Sequence, residues 1–197
     1  MLKVGIIIGT TRPNRNGEAV GKWVYQLTKR RTDAEFVLLD LKDFDLPLLD
    51  EPMSASFGQY HNAHTKKWSE AISACDAFIF ITAEYNHSVT GALKNAIDYL
   101  SNEWKNKAAG FVGYGGLGGA RAIEHLRAIM GELEIADVRT QVSLSLMTDF
   151  EHFQVFKPAS FHEKSVHKML DEVIAWGTAL QLVRTEKRIA QWSEESL

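Results

Sequence analysis

The sequence is short of the features that mark several classes of protein. Its single cysteine, Cys75, excludes an intrachain disulfide and any metal site built from several cysteines. A formal net charge of −3 provides no overall basic field to hold nucleic acid or an anionic membrane. No apolar run approaches the roughly 18 residues that a membrane span needs. The opening residues MLKVGIIIGT also lack the long apolar region of a signal peptide, so a reducing, cytoplasmic location is expected.

What the sequence does contain is an ordinary globular composition, with 45% hydrophobic and 24% charged residues. A chain of 197 residues is long enough to bury one substantial core. There is no internal repeat, low-complexity segment or linker in the sequence. These features predict a single domain over residues 1–197.

Short apolar runs alternate with segments of helical period along the chain. The runs predict five strands, over 3–8, 35–41, 77–82, 108–115 and 137–146. Each run is followed by an amphipathic segment, and the last of these predicts a helix from about 160 to 184. The alternation predicts a parallel sheet with helices on both faces. Two strand orders fit the pattern, namely 2-1-3-4-5 and the order of a dinucleotide-binding fold.

Three loops are expected at the edge of the sheet where strands end and helices begin, over 9–17, 82–91 and 113–120. Ligands of open α/β sheets bind at this edge. A further loop over 42–60 is longer than most connections. This longer loop, with Met53 and Phe57, could help to cover a bound ring and choose the acceptor, or it could be a mobile surface loop.

The first loop, GTTRPNRNGEA, carries groups that suit an anion, since hydroxyls, an amide and two guanidinium groups precede a helix. These residues are Thr10, Thr11, Arg12, Arg15 and Asn16, and Gly17 would let a ligand approach the backbone. The free N–H groups and the dipole of a helix N-terminus also favour negative charge. No Gly-Lys-Ser/Thr follows, which excludes a P-loop for nucleoside triphosphates. The loop predicts either a phosphate monoester site or a polar surface turn.

The second loop follows the third strand and begins TAEYNHSVT. It places Glu84, Tyr85 and Asn86 where an open sheet presents its ligand edge. The tyrosine could pack against a ligand, and Asn86 and exposed backbone amides could bond the polar edge of a heterocycle. An ordinary exposed loop is the alternative.

The third loop, GYGGLGGARA, matches a dinucleotide fingerprint in form. Gly113, Gly115 and Gly118 fit GxGxxG between a strand and a helix, and acidic residues follow about twenty residues later. However, the match belongs to the fourth strand–helix unit and not to the first. The alternative interpretation is that backbone without side chains passes close to a flat ring.

Several other residues are expected to have no part in a site. Cys75 shares an apolar helical stripe and is predicted to be a buried thiol. The helix histidines His125, His162 and His167 are predicted to be solvated. No metal ligand set is expected.

Together, the segments GTTRPNRNGEAVGKWV, TAEYNHSVTGALKNAIDYLSNEW and GYGGLGGARAIEHLR resemble the NADPH-dependent FMN reductase family. These flavodoxin-like proteins include quinone, chromate and azo-dye reductases. The resemblance extends from residue 3 to about residue 145. It implies a doubly wound five-stranded parallel sheet of order 2-1-3-4-5, with helices on both faces.

The resemblance also implies which residues bind FMN. The first loop would hold the phosphate, the second would line the isoalloxazine ring and ribityl chain, and the third would contact the pyrimidine end of the ring. The implied cofactor-binding residues are Thr10, Arg12, Arg15, Asn16 and Gly17, then Glu84, Tyr85 and Asn86, and then Gly115, Gly116 and Gly118. Ala83 stands where the family has proline.

The function implied by the resemblance is an NAD(P)H oxidoreductase that uses FMN in a ping-pong cycle. The acceptor would be a small molecule, such as a quinone, free flavin, azo compound or metal oxyanion. No catalytic side chain is required, because the flavin carries the chemistry. A homodimer or homotetramer is implied by the resemblance alone.

Two other functions stay open from the residues alone. A flavodoxin-type electron carrier would exchange electrons with protein partners, and the mild net charge weighs against the acidic face that such carriers show. A dehydrogenase that uses the glycine loop 113–118 would bind NAD(P) tightly without flavin.

Overall fold

The computed structural model describes the backbone of residues 1–194 and the side chains of residues 1–185, so the last three residues of the predicted domain 1–197 lie outside the described residues. Strands and helices alternate as the sequence predicts. The elements in chain order are β1 Leu2–Ile8, α1 Gly17–Thr28, β2 Ala34–Asp40, α2 Ala63–Ser73, β3 Ala77–Ala83, α3 Gly91–Asp98, β4 Lys107–Gly115, α4 Ala120–Glu132, β5 Ile135–Ser145, β6 Phe150–Glu151, β7 Val155–Phe156 and α5 Phe161–Glu194.

The first five strands form one parallel sheet in the order β2-β1-β3-β4-β5. This is the flavodoxin-like order that the family resemblance implies, and it is confirmed. Strand β1 lies between β2 and β3, whereas a dinucleotide-binding fold places β1 between β2 and β4. Strands β3 and β4 are buried along their whole length, because helices cover both faces of the sheet.

Two helical layers cover the sheet. Helices α1 and α5 pack on one face, where Val20 and Met169 are buried. Helices α2, α3 and α4 pack on the other face through Trp68, Leu93 and Leu126. The layers leave the carboxyl ends of β1, β3 and β4 together at one edge. Within the described part of the chain, no helix is both long enough and apolar enough to cross a membrane.

The loop over 42–60 is held against the protein by side chains of its own and of α3. The Glu51 carboxylate accepts a hydrogen bond of 2.9 Å from the backbone N–H of Asn62, at the start of α2. The backbone N–H of Leu49 donates to Asn95 Oδ1 of α3 at 3.0 Å. The loop therefore has a specific conformation that α2 and α3 support.

Four details bear on the sequence predictions. The hairpin of β6 and β7 has no counterpart in them, because strands of two residues carry no periodicity. The last helix starts where predicted but continues beyond residue 184 to Glu194. The prediction that His162 is solvated is wrong, since it is buried with Nε2 3.0 Å from a carboxylate oxygen of Asp149. The prediction that Cys75 is buried is confirmed.

Candidate functional site

Three loops meet at the carboxyl ends of β1, β3 and β4. The backbone N–H of Gly9 donates to the carbonyl of Ile81 at 2.8 Å. The hydroxyl of Thr90, at the start of α3, donates to the Gly9 carbonyl. The backbone N–H of Glu84 donates to the Tyr114 carbonyl at 3.0 Å. These bonds join the first loop to the second and the second to the third, so the predicted convergence is confirmed.

The first loop contains a buried hydroxyl that makes no well-formed hydrogen bond to the protein. Thr10 is 1% exposed, and its Oγ1 lies near the Tyr114 hydroxyl but has no partner of normal hydrogen-bond geometry among the described residues. A Cβ atom at Gly17 would lie 2.2 Å from this oxygen and 3.0 Å from the Tyr114 hydroxyl, so glycine is required at this close approach. Buried polar groups are normally paired. The poorly paired hydroxyl is therefore available to an oxygen of a ligand.

Helix α1 begins at the same point without a capping side chain. Asn16 is its N-cap residue but makes no side-chain hydrogen bond to the first turn. Its Nδ2 atom donates instead to the Phe153 carbonyl, in the turn between β6 and β7, at 2.8 Å. An uncapped first turn leaves backbone N–H groups available to an anion. The donors around Thr10 and Gly17 therefore fit the phosphate of FMN.

The two arginines of the loop differ in their surroundings. Arg12 is exposed, and its guanidinium carbon lies 5.8 Å from the centroid of the Tyr85 ring. No acidic side chain in the described part of the chain pairs with Arg12. Its guanidinium is therefore free to bind an anion at the mouth of the loop.

Arg15 does not share that position. Its side chain is 4% exposed and donates to the carbonyl of Thr10 and to the carboxylate of Asp40, at the end of β2. The prediction had Arg15 facing the phosphate alongside Arg12. Its guanidinium instead supports the loop from behind, because a buried cation needs a partner and Asp40 supplies one.

The second loop is a tight hairpin turn. Tyr85 and Ser88 exchange backbone hydrogen bonds of 3.0 Å in both directions. The two central residues, Asn86 and His87, have φ angles of 50° and 68°. A two-residue turn with two positive φ angles is type I′, for which asparagine is well suited. Asn86 therefore has a conformational role at the site, and the turn presents the half-exposed Tyr85 ring.

Glu84 ties this turn to the third loop. Its carboxylate accepts a hydrogen bond of 2.6 Å from Arg121 Nε and one of 3.2 Å from the Arg121 backbone N–H, in the first turn of α4. The Glu84 side chain is 5% exposed, so it faces the protein. Arg121 Nη1 also lies 2.8 Å from His87 Nε2. The sequence analysis missed Arg121 as a site residue, because its partner is 37 residues away and no local pattern links them.

The glycines of the third loop lie in two kinds of surroundings, one crowded and one open. A Cβ at Gly118 would lie 2.8 Å from Ser143 Cβ, and one at Gly115 would lie 3.1 Å from Glu84 Cβ. Close packing of the turn therefore explains these two positions. At Gly116 a Cβ would meet nothing within 4 Å. Open backbone at this position is accessible to a flat ring.

The dinucleotide interpretation of this loop finds no support in the fold. The sheet order is not that of a dinucleotide-binding fold. Two of the acidic residues that follow the loop by about twenty positions also have partners in the protein, since Asp137 is paired with Arg127 and Glu134 with Lys105.

Tyr114 is a second site residue that the sequence analysis missed. It lies on β4 beneath the first loop, with its hydroxyl beside Gly17. Its ring packs 5.9 Å, centroid to centroid, from that of Phe150. Burial raises the pKa of Tyr114 to about 12, so it stays a neutral hydroxyl near neutral pH.

Comparisons with known proteins agree with this geometry. The family model described as NADPH-dependent FMN reductase matches residues 2–149. The chain is similar to the NAD(P)H-dependent FMN reductase ntnL of Nectria sp, with 36% identity over 159 residues, 76% of this chain and 79% of the relative. It is also similar to an NAD(P)H:quinone oxidoreductase of Solanum tuberosum, with 34% identity over 134 residues, 66% of this chain and 67% of that protein.

A solved structure shows the same fold. The flavoenzyme FerB of Paracoccus denitrificans, an NAD(P)H:(acceptor) oxidoreductase, superposes with a TM-score of 0.72 at 22% identity, over 91% of this chain and 98% of that chain. The fold, the loop geometry and the family match lead to one conclusion. This chain belongs to the NADPH-dependent FMN reductase family.

Proposed function

We propose that this chain is an FMN-dependent oxidoreductase that moves electrons from NAD(P)H to a small oxidised acceptor. The observation that carries the proposal is the buried hydroxyl of Thr10, which makes no well-formed hydrogen bond to the protein and lies beside the uncapped N-terminus of α1. With the unpaired guanidinium of Arg12, these groups form the donor set that a phosphate monoester needs.

Five residues of the first loop have roles in this proposal. Thr10, Arg12 and the first turn of α1 at Gly17 hold the phosphate. Arg15 holds the loop in shape through the Thr10 carbonyl. Asn16 supplies the N-cap position while its amide is turned toward the β6–β7 hairpin.

The second and third loops hold the ring between them. The residues proposed to form the two walls are Tyr85 and Asn86 on one side, and Gly115, Gly116 and Gly118 on the other. Glu84 keeps the walls at a set separation through Arg121. Tyr85 supplies apolar surface and Gly116 supplies accessible backbone.

The chemistry that FMN supplies when bound is two-electron transfer between NAD(P)H and the acceptor. The residues of the chain bind and orient the cofactor, and we assign none of them as a catalytic acid or base. NAD(P)H and the acceptor are proposed to use the same open face in turn, which gives a ping-pong order.

Three further features belong to the proposal. A quinone is the first acceptor to test, with free flavin, azo compounds and metal oxyanions as other members of the same class. A homodimer or homotetramer is supported by family membership and by the exposed apolar side chains of Leu48, Met53 and Phe57. A cytoplasmic location is also part of the proposal, and the single buried thiol of Cys75 is compatible with a reducing compartment.

Anaerobic reduction tests the function directly. NADPH added to FMN-loaded protein should bleach the yellow absorbance within turnover times, and a quinone should restore it. Absorbance that stays unchanged would show that the proposal is wrong. A stable one-electron-reduced flavin together with no oxidation of NADPH would instead favour an electron carrier. Steady-state plots at several quinone concentrations should give the parallel lines of a ping-pong order.

The phosphate site is tested by Thr10→Val, which replaces the hydroxyl by a methyl of similar shape. We expect FMN affinity to fall about 10- to 100-fold, from loss of a hydrogen bond of about 1.5–3 kcal/mol to a charged group. Stability of the apoprotein should change little, because the hydroxyl makes no well-formed hydrogen bond in the protein. Thr65→Val is the control, since it also removes a buried threonine hydroxyl without a well-formed hydrogen bond, but on α2 beside Glu51, and it should leave FMN affinity unchanged. Equal FMN affinity in both variants would exclude Thr10 from the site.

A further inference from the structure

A short hairpin outside the family match contacts the candidate phosphate loop. Residues 146–160, called the hairpin arm below, contain β6 and β7 and lead into α5. The family model ends at residue 149, so most of the arm lies beyond it. Within the described residues, one side-chain hydrogen bond links the arm to the first loop. In it, the Asn16 side-chain amide donates to the Phe153 carbonyl.

A buried carboxylate holds the base of the arm. Asp149 is 2% exposed and accepts hydrogen bonds from the backbone N–H of Ser145 at 2.9 Å and of Ala159 at 3.1 Å. It also accepts from the Thr148 hydroxyl at 3.1 Å and from His162 Nε2 at 3.0 Å. Asp149 therefore joins both ends of the arm to the first turn of α5.

A row of aromatic rings positions the arm against the site. The Phe150 and Phe156 rings pack with centroids 5.1 Å apart. Phe150 packs on Tyr114, whose hydroxyl lies beneath the first loop, and Phe156 packs edge-on against Trp23 of α1 at 5.4 Å. The arm thus rests on the same two elements, β4 and α1, that form the floor and the helix of the phosphate site.

The contact with Asn16 has a consequence for the helix N-terminus. An asparagine at the N-cap normally turns its side-chain oxygen onto the first-turn N–H groups of its own helix. These are the groups that an anion would use. The Asn16 amide donates to the Phe153 carbonyl, and its side chain makes no hydrogen bond to the first turn of α1. Its backbone is helical there, with φ −69° and ψ −24°, whereas a capping residue is extended.

We propose that the hairpin arm, held by His162 and Asp149, keeps Asn16 from capping its own helix and so keeps the N-terminus of α1 open for the phosphate of FMN. His162 is a positioning residue in this inference, which rests on the proposed function. The expected property is a preference for FMN over riboflavin, the same ring and ribityl chain without phosphate, that depends on the arm.

The test compares the affinities of FMN and riboflavin for purified apoprotein. His162→Leu removes the donor to Asp149 and should weaken FMN binding by about tenfold, which is about 1.4 kcal/mol, with riboflavin binding unchanged. His162→Gln keeps an N–H donor and should restore much of the loss. His167→Leu, on the same helix and without contact to Asp149, is the control and should change neither affinity.

The same His162 substitution, made in a second variant that lacks the Asn16 side chain, tests whether His162 acts through Asn16. Glycine is tolerated at an N-cap position and has no side chain that could bond to the helix. In the Asn16→Gly variant, His162→Leu should therefore have little further effect on FMN affinity. An equal loss in both backgrounds, or an equal loss for FMN and riboflavin, would show that the arm acts only as general support and would overturn the inference.

A measurement on the unaltered chain covers the case in which His162→Leu does not fold. FMN, but not riboflavin, should slow amide hydrogen exchange in residues 150–156, because occupancy of the loop stabilises the arm that holds it open. Equal exchange with both ligands would also overturn the inference. If the unaltered chain binds FMN no more tightly than riboflavin, the phosphate site of the proposed function has failed as well.

Discussion

Arg12 and Arg15 lie in the same loop but differ in what their guanidinium groups contact. Arg12 is exposed next to Tyr85, while Arg15 is buried against Asp40 and the Thr10 carbonyl. A free cation at the mouth of a loop contributes to ligand binding. A buried, paired cation contributes to folding. Substitution of Arg12 should therefore change FMN affinity, whereas substitution of Arg15 should change the free energy of unfolding.

We predict that Arg12→Ala weakens FMN binding by about 1.5–3 kcal/mol, from loss of a charge-assisted hydrogen bond, and leaves the free energy of unfolding unchanged. Arg15→Met should lower the free energy of unfolding by about 3 kcal/mol, because it leaves Asp40 without its buried partner. Isothermal titration with FMN and urea denaturation of the apoprotein measure the two quantities. Unchanged FMN affinity in Arg12→Ala would remove Arg12 from the phosphate site.

At the scale of single elements, the type I′ turn of the second loop decides how Asn86 acts. Its φ of 50° is accessible to glycine and to asparagine but strained for alanine. We predict that Asn86→Gly keeps FMN affinity close to that of the unaltered chain. Asn86→Ala should weaken it and lower stability by about 1 kcal/mol. If both variants lose affinity equally, the Asn86 amide itself contacts the ligand.

The third loop allows a similar comparison between two glycines. A Cβ at Gly116 would meet nothing within 4 Å, and the same holds for Gly131 in α4, away from the sheet edge. We predict that Gly116→Ala reduces FMN affinity without loss of stability, because the methyl group occupies space that the ring approaches. Gly131→Ala should leave affinity unchanged and stabilise its helix by up to about 1 kcal/mol. Equal FMN affinity in the two variants would place the ring away from Gly116.

At the scale of the whole molecule, two buried groups far from the site set the pH dependence of stability. Lys107 is 5% exposed, and its Nζ donates to the Ile72 carbonyl at 2.8 Å. Burial lowers the pKa of Lys107 from 10.5 to about 8. Burial also raises the pKa of the Cys75 thiol from 9.0 to about 11. The two shifts act in opposite directions on folding.

Between pH 8 and 10.5 the unfolded chain keeps the Lys107 proton that the folded chain has lost, so Lys107 makes stability rise with pH. Between pH 9 and 11 the unfolded chain has lost the Cys75 proton that the folded chain keeps, so Cys75 makes stability fall. We predict that the free energy of unfolding rises from pH 8 to 9, by at most about 1.4 kcal/mol, and then levels.

Urea denaturation at a series of pH values measures this profile, and two variants assign it. Lys107→Met should abolish the rise between pH 8 and 9. Cys75→Ala should extend the rise only to about pH 10, above which the unfolded chain loses tyrosine protons that Tyr99 and Tyr114 keep in the folded chain. A profile that stays the same in Lys107→Met would show that the lysine is not the group responsible.

Local sequence accounts for most of the elements. The run AFIFIT is continuous and apolar, which predicts β3 because a strand covered on both faces needs no polar alternation. Thr90 precedes α3 and accepts a hydrogen bond from the Leu93 N–H, so the helix start is also encoded locally. The hairpin arm escapes such analysis, because its two-residue strands have no periodicity and are held by tertiary contacts of Phe150 with Tyr114 and of Asp149 with His162.

The candidate site divides in the same way. The types of residue in the three loops, and the edge at which they meet, follow from short-range patterns of apolar and polar residues. Contacts between distant segments decide which way each side chain faces. The sequence places Arg15 in a turn rich in phosphate-binding groups, but Asp40, 25 residues later, turns it inward.

The sequence by itself determined the alternation of strands and helices, the three loops at the sheet edge and the membership of a flavin-binding family, because each depends on residues close together in the chain. The tertiary structure decided that Arg12 and not Arg15 is free, that Glu84 pairs with Arg121, and that the hairpin arm contacts Asn16. Those contacts join segments far apart in the chain, and their energies depend on burial and distance, which exist only once the chain has folded.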